Sequence, residues 1–349
     1  MERITMELAF SLKKNRGDFA ANETPMLQVQ NLKIWFPAGS RTLFHFWGKK
    51  EYIRAVDGIT FNVNKGDVFS LVGESGAGKT TTGLAIVGVY KPTEGRIFFR
   101  GIDINNADER LIKQIRRKIQ MIFQDPFESL PPHMRVLDIV GEGVDVHRLA
   151  KSPSEKFEMV KDVLEDLGLT PAEKFLDKYP HQLSGGQRQR VAIASTIILR
   201  PDLIIADEPV SMIDASLKWG IIELLMRLKR KFKLTYIFIL HDLALTRYIS
   251  NYTAVMYLGQ IVELGPSIEI VEKPMHPYTQ ALISVVPSLK SEKKKPKVIL
   301  RGEIPNPINM PRGCRFHPRC PKAFYQCERE QPQLVEQSPN HFVRCFLFV

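Results

Sequence analysis

The sequence contains one stretch whose residue types and spacing suit phosphate binding, Gly73-Glu74-Ser75-Gly76-Ala77-Gly78-Lys79-Thr80. It matches the pattern G-x-x-x-x-G-K-[ST] at every fixed position. Glycines at this spacing let backbone N–H groups turn towards phosphate oxygens, and the N-terminus of a following helix adds partial positive charge. We expect Lys79 to reach the β- and γ-phosphates of a nucleotide and Thr80 to bind Mg²⁺, with Thr81 beside them in the helix.

The residues on either side of this phosphate loop fit the structure that it requires. Val68 to Val72 is mostly apolar and partly β-branched, which is typical of a buried parallel strand, and Thr81 to Tyr90 has no proline and suits a helix. A strand, a glycine loop and a helix in this order are the context in which the pattern binds phosphate. A chance glycine-rich turn is the alternative, and the flanking strand argues against it.

Two more apolar runs end in side chains that can bind metal ions or transfer protons. Asp207 and Glu208 follow the run Leu203 to Ala206, and His241 follows the run Thr235 to Leu240. Parallel sheets bind ligands at the carboxyl ends of their strands, and right-handed crossovers bring those ends together. The acids and the histidine are therefore expected beside the phosphate loop.

The chain up to about residue 265 alternates between predicted strands and helices. Alternation from Leu27 to Phe36 predicts an edge strand, and Lys118 to Phe123 predicts a strand that runs into Gln124. Helical spacing in 136–146 and again in 157–167 predicts an inserted helical region. The expected helix breakers there are Pro131, Pro132, Pro153 and Pro171.

The 349-residue chain has the composition of a soluble globular protein, with 44% hydrophobic and 25% charged residues. No apolar run approaches the roughly 20 residues of a membrane helix, and the N-terminal segment is too polar for a signal peptide, so we expect a cytoplasmic protein. The net charge of +11 suits an acidic partner, either nucleic acid or the anionic inner surface of a membrane. The basic runs at 113–118, 227–233 and 293–297 lack a series of interleaved stacking aromatic residues and any reader motif, which argues against nucleic acid.

The sequence Leu183-Ser184-Gly185-Gly186-Gln187 lies shortly before the acidic pair. Together with the phosphate loop and the acidic strand, it resembles the nucleotide-binding subunit of an ATP-binding cassette (ABC) transporter. The resemblance implies an α/β P-loop NTPase cassette, in which a mostly parallel sheet carries an antiparallel β edge and an inserted helical subdomain at about 128–190. It also implies ATP and Mg²⁺ as ligands and ATP hydrolysis as the reaction.

The resemblance assigns a role to each matched residue. Asp207 would hold Mg²⁺, and Glu208 would act as the general base for the water that attacks the γ-phosphate. Gln124 would contact both Mg²⁺ and the attacking water, and His241 would contact the γ-phosphate.

Other matched residues would act across a dimer or on the adenine base. The signature of the family is Leu183 to Gln187, of which Ser184 to Gln187 would face the γ-phosphate that a second cassette binds. Asp214 lies in the D-loop. Phe36 would stack on adenine, with Trp35 and Tyr52 as rivals. The alternative for these aromatic side chains is that they pack their loop onto the sheet.

Residues 266–349 resemble the C-terminal extension of oligopeptide and dipeptide importers, from His276-Pro277-Tyr278-Thr279 onwards. The stretch Phe123 to Pro132 resembles the Q-loop of the same importers. We expect an N-terminal extension (1–25), a nucleotide-binding domain (26–265) and this C-terminal extension (266–349). The resemblance implies peptide cargo, and related importers of oligosaccharides or nickel remain alternatives.

One cassette without a membrane span implies several partners in such an importer. These are a second ABC ATPase subunit, expected to be a paralogue, two transmembrane permease subunits and an extracytoplasmic substrate-binding protein. Binding to the permease subunits would place the chain at the cytoplasmic face of the membrane. Two other classes remain as alternatives. A soluble cassette protein acting on nucleic acid usually has two cassettes or a long coiled coil, and a P-loop kinase would lack residues 183–187.

The chain has four cysteines, and all of them lie in its last part: Cys314, Cys320, Cys327 and Cys345. A cytoplasmic location argues against disulfides, and four thiolates suit either tetrahedral zinc or a [4Fe–4S] cluster. The gaps of five, six and 17 residues are looser than zinc-type C-x-x-C pairs and favour the cluster. The run Gly313 to Pro321 resembles the cysteine motif of the importers, some of which carry such a cluster. Zinc, bare thiols and disulfides remain alternatives, and His317 and His341 are expected to be ordinary surface histidines.

Overall fold

The computed structural model describes residues 24–38, 51–125, 129–211, 215–285, 300 and 302–348. The expected N-terminal extension (1–25) lies almost wholly outside these residues, as do residues 39–50 of the segment between Phe36 and Tyr52. The strands are β1 (Leu27–Pro37), β2 (Tyr52–Val63), β3 (Val68–Val72), β4 (Glu94–Phe99), β5 (Ile102–Asp103), β6 (Ile119–Ile122), β7 (Leu203–Asp207), β8 (Thr235–Leu240), β9 (Tyr252–Tyr257), β10 (Gln260–Pro266), β11 (Val335–Ser338) and β12 (His341–Val343).

The helices connect these strands and cover both faces of the larger sheet. They are α1 (Lys79–Ile86), α2 (Glu109–Lys118), α3 (Val136–Val146), α4 (Pro153–Asp166), α5 (Glu173–Leu176), α6 (Gly185–Ile197), α7 (Ala215–Phe232), α8 (Leu243–Ile249), α9 (Ser267–Glu272), α10 (Pro277–Ser284) and α11 (Tyr325–Arg329), with 3₁₀ turns at Pro180–Gln182, His317–Arg319 and Phe346–Phe348. None of the helices in the described ranges is long and apolar enough to cross a membrane.

The strands form two sheets that differ in direction. The eight-stranded sheet has the order β11-β12-β10-β9-β3-β8-β7-β6; the five strands from β9 to β6 are parallel to one another, and β10 pairs antiparallel with β9. The four-stranded sheet, β2-β1-β4-β5, is antiparallel. Every residue of β3, β7 and β8 is buried, as expected for central parallel strands with helices or sheet on both faces. This is the predicted mixed α/β architecture, with a parallel core and an antiparallel β edge.

Alternate residues of the parallel strands face two separate hydrophobic cores. In β8, Tyr236 and Phe238 belong to the core that also contains residues of α3, α4, α6 and α7, whereas Ile237 and Ile239 belong to the core that contains residues of α1, α2 and the antiparallel sheet. Phe61 and Phe69 stack with ring centroids 4.8 Å apart and join the two sheets. Because successive side chains of a strand point to opposite faces of the sheet, the position of a residue along the strand decides which of the two cores it joins.

The helical region contains one difference from the sequence-based prediction. Pro153, expected to break a helix, is the first residue of α4. Ser152 caps this helix, since its hydroxyl accepts the backbone N–H of Glu155 at 3.2 Å. Proline is well tolerated at this position because the first N–H groups of a helix have no intrahelical acceptor. The proline therefore marks the start of α4.

The last residues of the chain extend the larger sheet. β12 pairs with β10, with Glu263 opposite Val343 and Leu264 opposite Phe342. The expected domain boundary between residues 265 and 266 therefore falls inside β10. The C-terminal region also pairs by charge with the antiparallel sheet, because Arg315 donates to Asp57 of β2.

A buried acid–histidine pair lies where β12 meets β10. His341 is 1% exposed, so the expectation of a surface histidine was wrong. Its Nε2 lies 2.8 Å from Glu263, whose carboxylate also accepts the backbone N–H groups of Met275 and His276 at 2.8 and 2.9 Å. Its Nδ1 lies 3.4 Å from Glu269. The pair ties the C-terminal strand to the segment between β10 and α10.

We predict that the stabilising effect of His341 depends on pH. Burial alone would lower the pKa of His341, but the hydrogen bonds and charges of Glu263 and Glu269 outweigh it and raise the pKa above the usual value for histidine. The stabilisation is therefore full below about pH 6.5 and is lost as the pH rises through the raised value. His341→Gln should lower the free energy of unfolding by about 1–3 kcal/mol at pH 6, and by less at pH 9.

Urea unfolding of both proteins at several pH values measures this difference. His133→Gln, at an exposed histidine, is the control and should cost little at any pH. His276 is fully buried, and burial lowers its pKa to about 3, but it is present in both proteins and cancels. If the loss of unfolding free energy caused by His341→Gln does not become smaller as the pH rises, His341 and Glu263 do not form a charged pair.

Candidate nucleotide-binding site

The phosphate loop lies between the end of β3 and the start of α1. Gly78 precedes the first residue of α1 and has a φ of 97°. A Cβ atom there would lie 2.2 Å from the carbonyl oxygen of Ala55, so only glycine fits this close approach. The first N–H groups of α1 have no intrahelical acceptor and point towards the loop.

A pocket lies over this loop at the carboxyl edge of the parallel strands. Its lining residues are Ser75, Gly76, Ala77, Gly78, Lys79, Thr80, Thr81, Gln124, Glu208 and His241. Gln124 follows β6, Glu208 follows β7 and His241 follows β8, so four strand ends contribute to one pocket. The structure thus brings together most of the predicted nucleotide-binding residues, while their chemical roles stay predictions.

Lys79 is bonded to its own loop. Its Nζ donates to the carbonyl oxygens of Gly73 at 2.7 Å and of Glu74 at 3.0 Å, and the residue is 5% exposed. Burial lowers the pKa of Lys79, while the carboxylates of Glu208 and Asp207 oppose this shift. A phosphate group in the pocket would compensate for the lost hydration of the ammonium.

Thr80 and Asp207 form the predicted magnesium-binding pair. The Thr80 hydroxyl donates to Asp207 Oδ1 at 3.2 Å. Burial raises the pKa of Asp207, and a cation beside this carboxylate would offset that effect. Mg²⁺ typically binds one or two carboxylates together with substrate phosphates, so a hydroxyl, a carboxylate and the amide of Gln124 are a suitable donor set.

Glu208 occupies an unusual backbone conformation beside the pocket. Its φ is 45°, which is uncommon for a residue with a side chain, and its N–H donates to Ile239 of β8 at 3.0 Å. Gln124 Nε2 donates to its carboxylate at 2.9 Å, and His241 Nε2 pairs with the other carboxylate oxygen. Strained conformations of this kind persist where the surroundings hold them and occur often at functional sites.

His241 connects Glu208 to the phosphate loop. Its Nδ1 lies 3.2 Å from the Gly73 carbonyl oxygen, and its side chain is 48% exposed at the mouth of the pocket. One side chain therefore contacts both the loop and the carboxylate predicted to be the general base.

The signature residues lie at the N-terminus of α6 and do not line this pocket. Ser184 and Gln187 form a capping box: the serine hydroxyl accepts the Gln187 N–H at 3.3 Å, and Gln187 Oε1 accepts the Ser184 N–H at 3.0 Å. This geometry gives a helix N-terminus whose N–H groups could bind an anion. Asp214 of the predicted D-loop lies outside the described residues.

The candidate adenine-stacking residues all contact other protein groups. Phe36 meets Tyr90 edge-to-face at 5.1 Å. Trp35 donates through Nε1 to Asp57 at 3.0 Å, and Tyr52 lies 6.3 Å from its ring. None of the three lines the pocket over the phosphate loop. The assignment of Phe36 stays a prediction.

The four cysteines all lie in the described part of the C-terminal region, as free thiols. The Cys314 N–H donates to the Cys327 carbonyl at 2.8 Å, and Gly313 permits this approach, since a Cβ there would lie 2.4 Å from the same oxygen. Burial raises the pKa of Cys314 to about 11, with smaller contributions from the other three thiols. Within the described ranges, no three or more His, Cys, Asp or Glu side chains are arranged to hold a metal ion.

Sequence reasoning missed two residues that contact the phosphate loop. Tyr278 and Arg319 both bond to Glu74, although they lie 204 and 245 residues further along the chain. No local pattern links such distant positions, although Tyr278 lies in the 276–279 motif and Arg319 in the 313–321 cysteine motif of the C-terminal extension.

Two protein-family models match the chain. The model described as "ABC transporter" matches residues 56–211, and the model described as "Oligopeptide/dipeptide transporter, C-terminal region" matches residues 262–327. The chain is 45% identical to the oligopeptide transport ATP-binding protein AppF of Bacillus subtilis, over 94% of this chain and 99% of that protein. It is 38% identical to the dipeptide transport ATP-binding protein DppF of Haemophilus influenzae, over 93% and 97% of the two chains.

Solved structures with the same fold are also ABC proteins. The ATP-binding cassette MJ0796, in a dimeric post-hydrolysis state bound to ADP and Pi, matches with a TM-score of 0.60 and 29% identity, over 69% of this chain and 99% of that one. CbiO1 from Clostridium perfringens, part of an ABC transporter complex, matches with a TM-score of 0.59 and 28% identity, over 72% and 93%. By its fold, its site and its near full-length relatives, the chain belongs to the oligopeptide/dipeptide transporter family of ABC ATP-binding proteins.

Proposed function

We propose that the chain is the ATP-hydrolysing subunit of a binding-protein-dependent importer that takes up oligopeptides or dipeptides. The observation that carries this proposal is that one fold contains both a nucleotide pocket and a C-terminal region typical of peptide transporters. A nucleotide pocket with the predicted residues lies on the same sheet as a C-terminal region that matches the oligopeptide/dipeptide transporter model. The relatives named for oligopeptide and dipeptide transport support the cargo.

The pocket suggests how the residues would share the reaction. The loop N–H groups and Lys79 would bind the phosphates of ATP, and Thr80, Asp207 and Gln124 would hold Mg²⁺. Bound Mg²⁺ would neutralise the charge that develops on the phosphate oxygens. Glu208 would take a proton from the attacking water, and His241 would orient the γ-phosphate from the mouth of the pocket.

The position of the signature supports a dimer as the working unit. Ser184 to Gln187 form a capped helix N-terminus away from the pocket of their own chain. A second ATPase subunit, proposed to be a paralogue, would supply its signature to this pocket and receive this one in return. The structure of MJ0796 bound to ADP and Pi is itself dimeric. Loss of the γ-phosphate would remove the shared ligand and open the dimer.

The remaining partners follow from the importer assignment. Two transmembrane permease subunits and an extracytoplasmic substrate-binding protein would complete the assembly, and the chain would lie at the cytoplasmic face of the membrane as a peripheral subunit. Action on nucleic acid is the alternative from another class.

We further propose that the four cysteines bind a [4Fe–4S] cluster, with zinc as the alternative. The partly buried Cys314 and the buried Cys327 meet through their backbones, and the other three thiols help to raise the pKa of Cys314. The thiols are not arranged as ligands in this structure, so incorporation of the cluster would have to draw them together. No step of ATP hydrolysis depends on this group.

The first prediction for the proposed function concerns the general base. Glu208→Gln keeps the size of the side chain and a contact with Gln124 but cannot accept a proton, so ATP should still bind while phosphate release falls by about 100-fold or more. The variant should accumulate as an ATP-bound dimer in size-exclusion chromatography. Glu223→Gln, at an exposed glutamate of α7, is the matched control and should hydrolyse ATP normally. Turnover of Glu208→Gln within twofold of the unmodified protein would refute the assignment.

The second prediction concerns the cargo. Tagged chain extracted from membranes in detergent should carry two hydrophobic permease subunits with it. Cells that express Glu208→Gln in place of the unmodified chain should lose uptake of labelled peptides and keep uptake of nickel and oligosaccharides. Loss of either of those uptakes with normal peptide uptake would show that the cargo is wrong, and binding to duplex DNA at physiological salt would favour the nucleic-acid class.

The third prediction concerns the thiols. Protein purified without oxygen should be brown, absorb broadly at about 400 nm and contain about four irons per chain. Cys314→Ser should lose the iron, whereas His317→Gln should retain it, because His317 is not a proposed ligand. Colourless protein with one zinc per chain would exclude the cluster in favour of zinc.

A further inference from the structure

The C-terminal region holds one residue of the phosphate loop by its backbone and by its side chain. The hydroxyl oxygen of Tyr278 accepts the backbone N–H of Glu74 at 2.9 Å. The guanidinium of Arg319 donates to both carboxylate oxygens of Glu74, at 2.7 and 3.0 Å. Three hydrogen bonds therefore fix the second residue of the loop from a part of the chain that contributes nothing to the pocket lining.

Packing holds both partners of Glu74 in place. Tyr278 is fully buried, with its ring centroid 4.8 Å from that of Tyr257 and 5.4 Å from that of Phe316. Arg319 is 7% exposed, and its guanidinium lies 5.8 Å from the centre of the Tyr257 ring. A paired, two-point contact between a buried arginine and a carboxylate is stronger and more directional than an exposed ion pair.

The position of Glu74 affects the groups that bind phosphate. Its carbonyl oxygen and that of Gly73 both accept hydrogen bonds from Lys79 Nζ, and His241 contacts the Gly73 carbonyl. A shift of Glu74 would therefore move the lysine and the histidine of the pocket. Arg319 also neutralises a carboxylate that would otherwise repel a polyphosphate close by.

We propose that Arg319 and Tyr278 are positioning residues that keep the phosphate loop in its nucleotide-binding shape, so that the C-terminal region sets the affinity of the pocket for MgATP. This role goes beyond the importer assignment and is independent of the cargo. It requires only that the chain binds and hydrolyses ATP.

The test measures nucleotide affinity and turnover separately in the full-length chain. Arg319→Gln should weaken binding of a non-hydrolysable MgATP analogue by about tenfold and raise KM for ATP similarly. The kcat should change less, by under about threefold, because the Glu208 carboxylate keeps its hydrogen bond from Gln124 when the loop shifts. Arg247→Gln, which removes an exposed ion pair with Glu272, is the matched control and should alter neither quantity.

Three further variants distinguish positioning from charge and from packing. Arg319→Lys keeps the charge but not the paired geometry and should give an intermediate affinity. Glu74→Gln should weaken binding less than Arg319→Gln, because it also removes a repulsive charge. In the Glu74→Gln background, adding Arg319→Gln should change the affinity by less than about twofold.

Several outcomes would overturn the proposal. If Arg319→Gln has the same effect in both backgrounds, the arginine acts through packing and not through Glu74. If Arg319→Lys binds the analogue as tightly as the unmodified chain does, the charge alone accounts for the effect of Arg319 on affinity, and the paired geometry does not contribute. Should Arg319→Gln not fold, Tyr278→Phe keeps the buried ring and removes only the acceptor, and it should weaken binding by about threefold. Unchanged affinity in both Tyr278→Phe and Glu74→Gln would refute the role.

Discussion

The functional side chains meet because neighbouring parallel strands end in register at one edge of the larger sheet. β3 pairs with β8 so that Val72 lies beside Leu240, and β8 pairs with β7 so that Ile239 lies beside Asp207. These strands are buried along their whole length, with different cores on their two faces. A slip of one residue would exchange the faces of a strand and disrupt both cores. The packing that fixes the register therefore also fixes the distances among the loop, the acids and His241.

The features that could be predicted from the sequence have local signals. Apolar runs predict the buried strands, and the spacing of the glycines predicts the phosphate loop. Together these two signals predict that Asp207 and His241 lie at strand ends beside the loop. The features that were not predicted arise from contacts between distant segments or from position within an element. His341 is buried because β12 joins the sheet beside Glu263, and Pro153 starts a helix because Ser152 caps it. The burial of His341 has no local signature, whereas Ser152 directly before Pro153 is a local helix-start signal that the prediction of a helix breaker overlooked.

The charged groups of the pocket already have hydrogen-bond partners within the protein. Lys79 donates to loop carbonyls, Asp207 accepts from Thr80, and Glu208 is shared between Gln124 and His241. A nucleotide would therefore replace existing hydrogen bonds. Its binding free energy would be the difference between the hydrogen bonds that it forms and those that it breaks, which are of similar strength. Small shifts of the loop can then change binding strongly without changing the residues that touch the ligand.

The pairing of β12 with β10 imposes an order on the assembly of this chain during its synthesis. The Glu263 carboxylate is fully buried, and its histidine partner lies 78 residues further along the chain. Until residues 341–343 have been synthesised, β10 presents an unpaired edge and this carboxylate lacks its counter-charge. Unpaired edges on nascent chains invite association with other molecules. The larger sheet is therefore completed late, when nearly all of the nucleotide site has already left the ribosome.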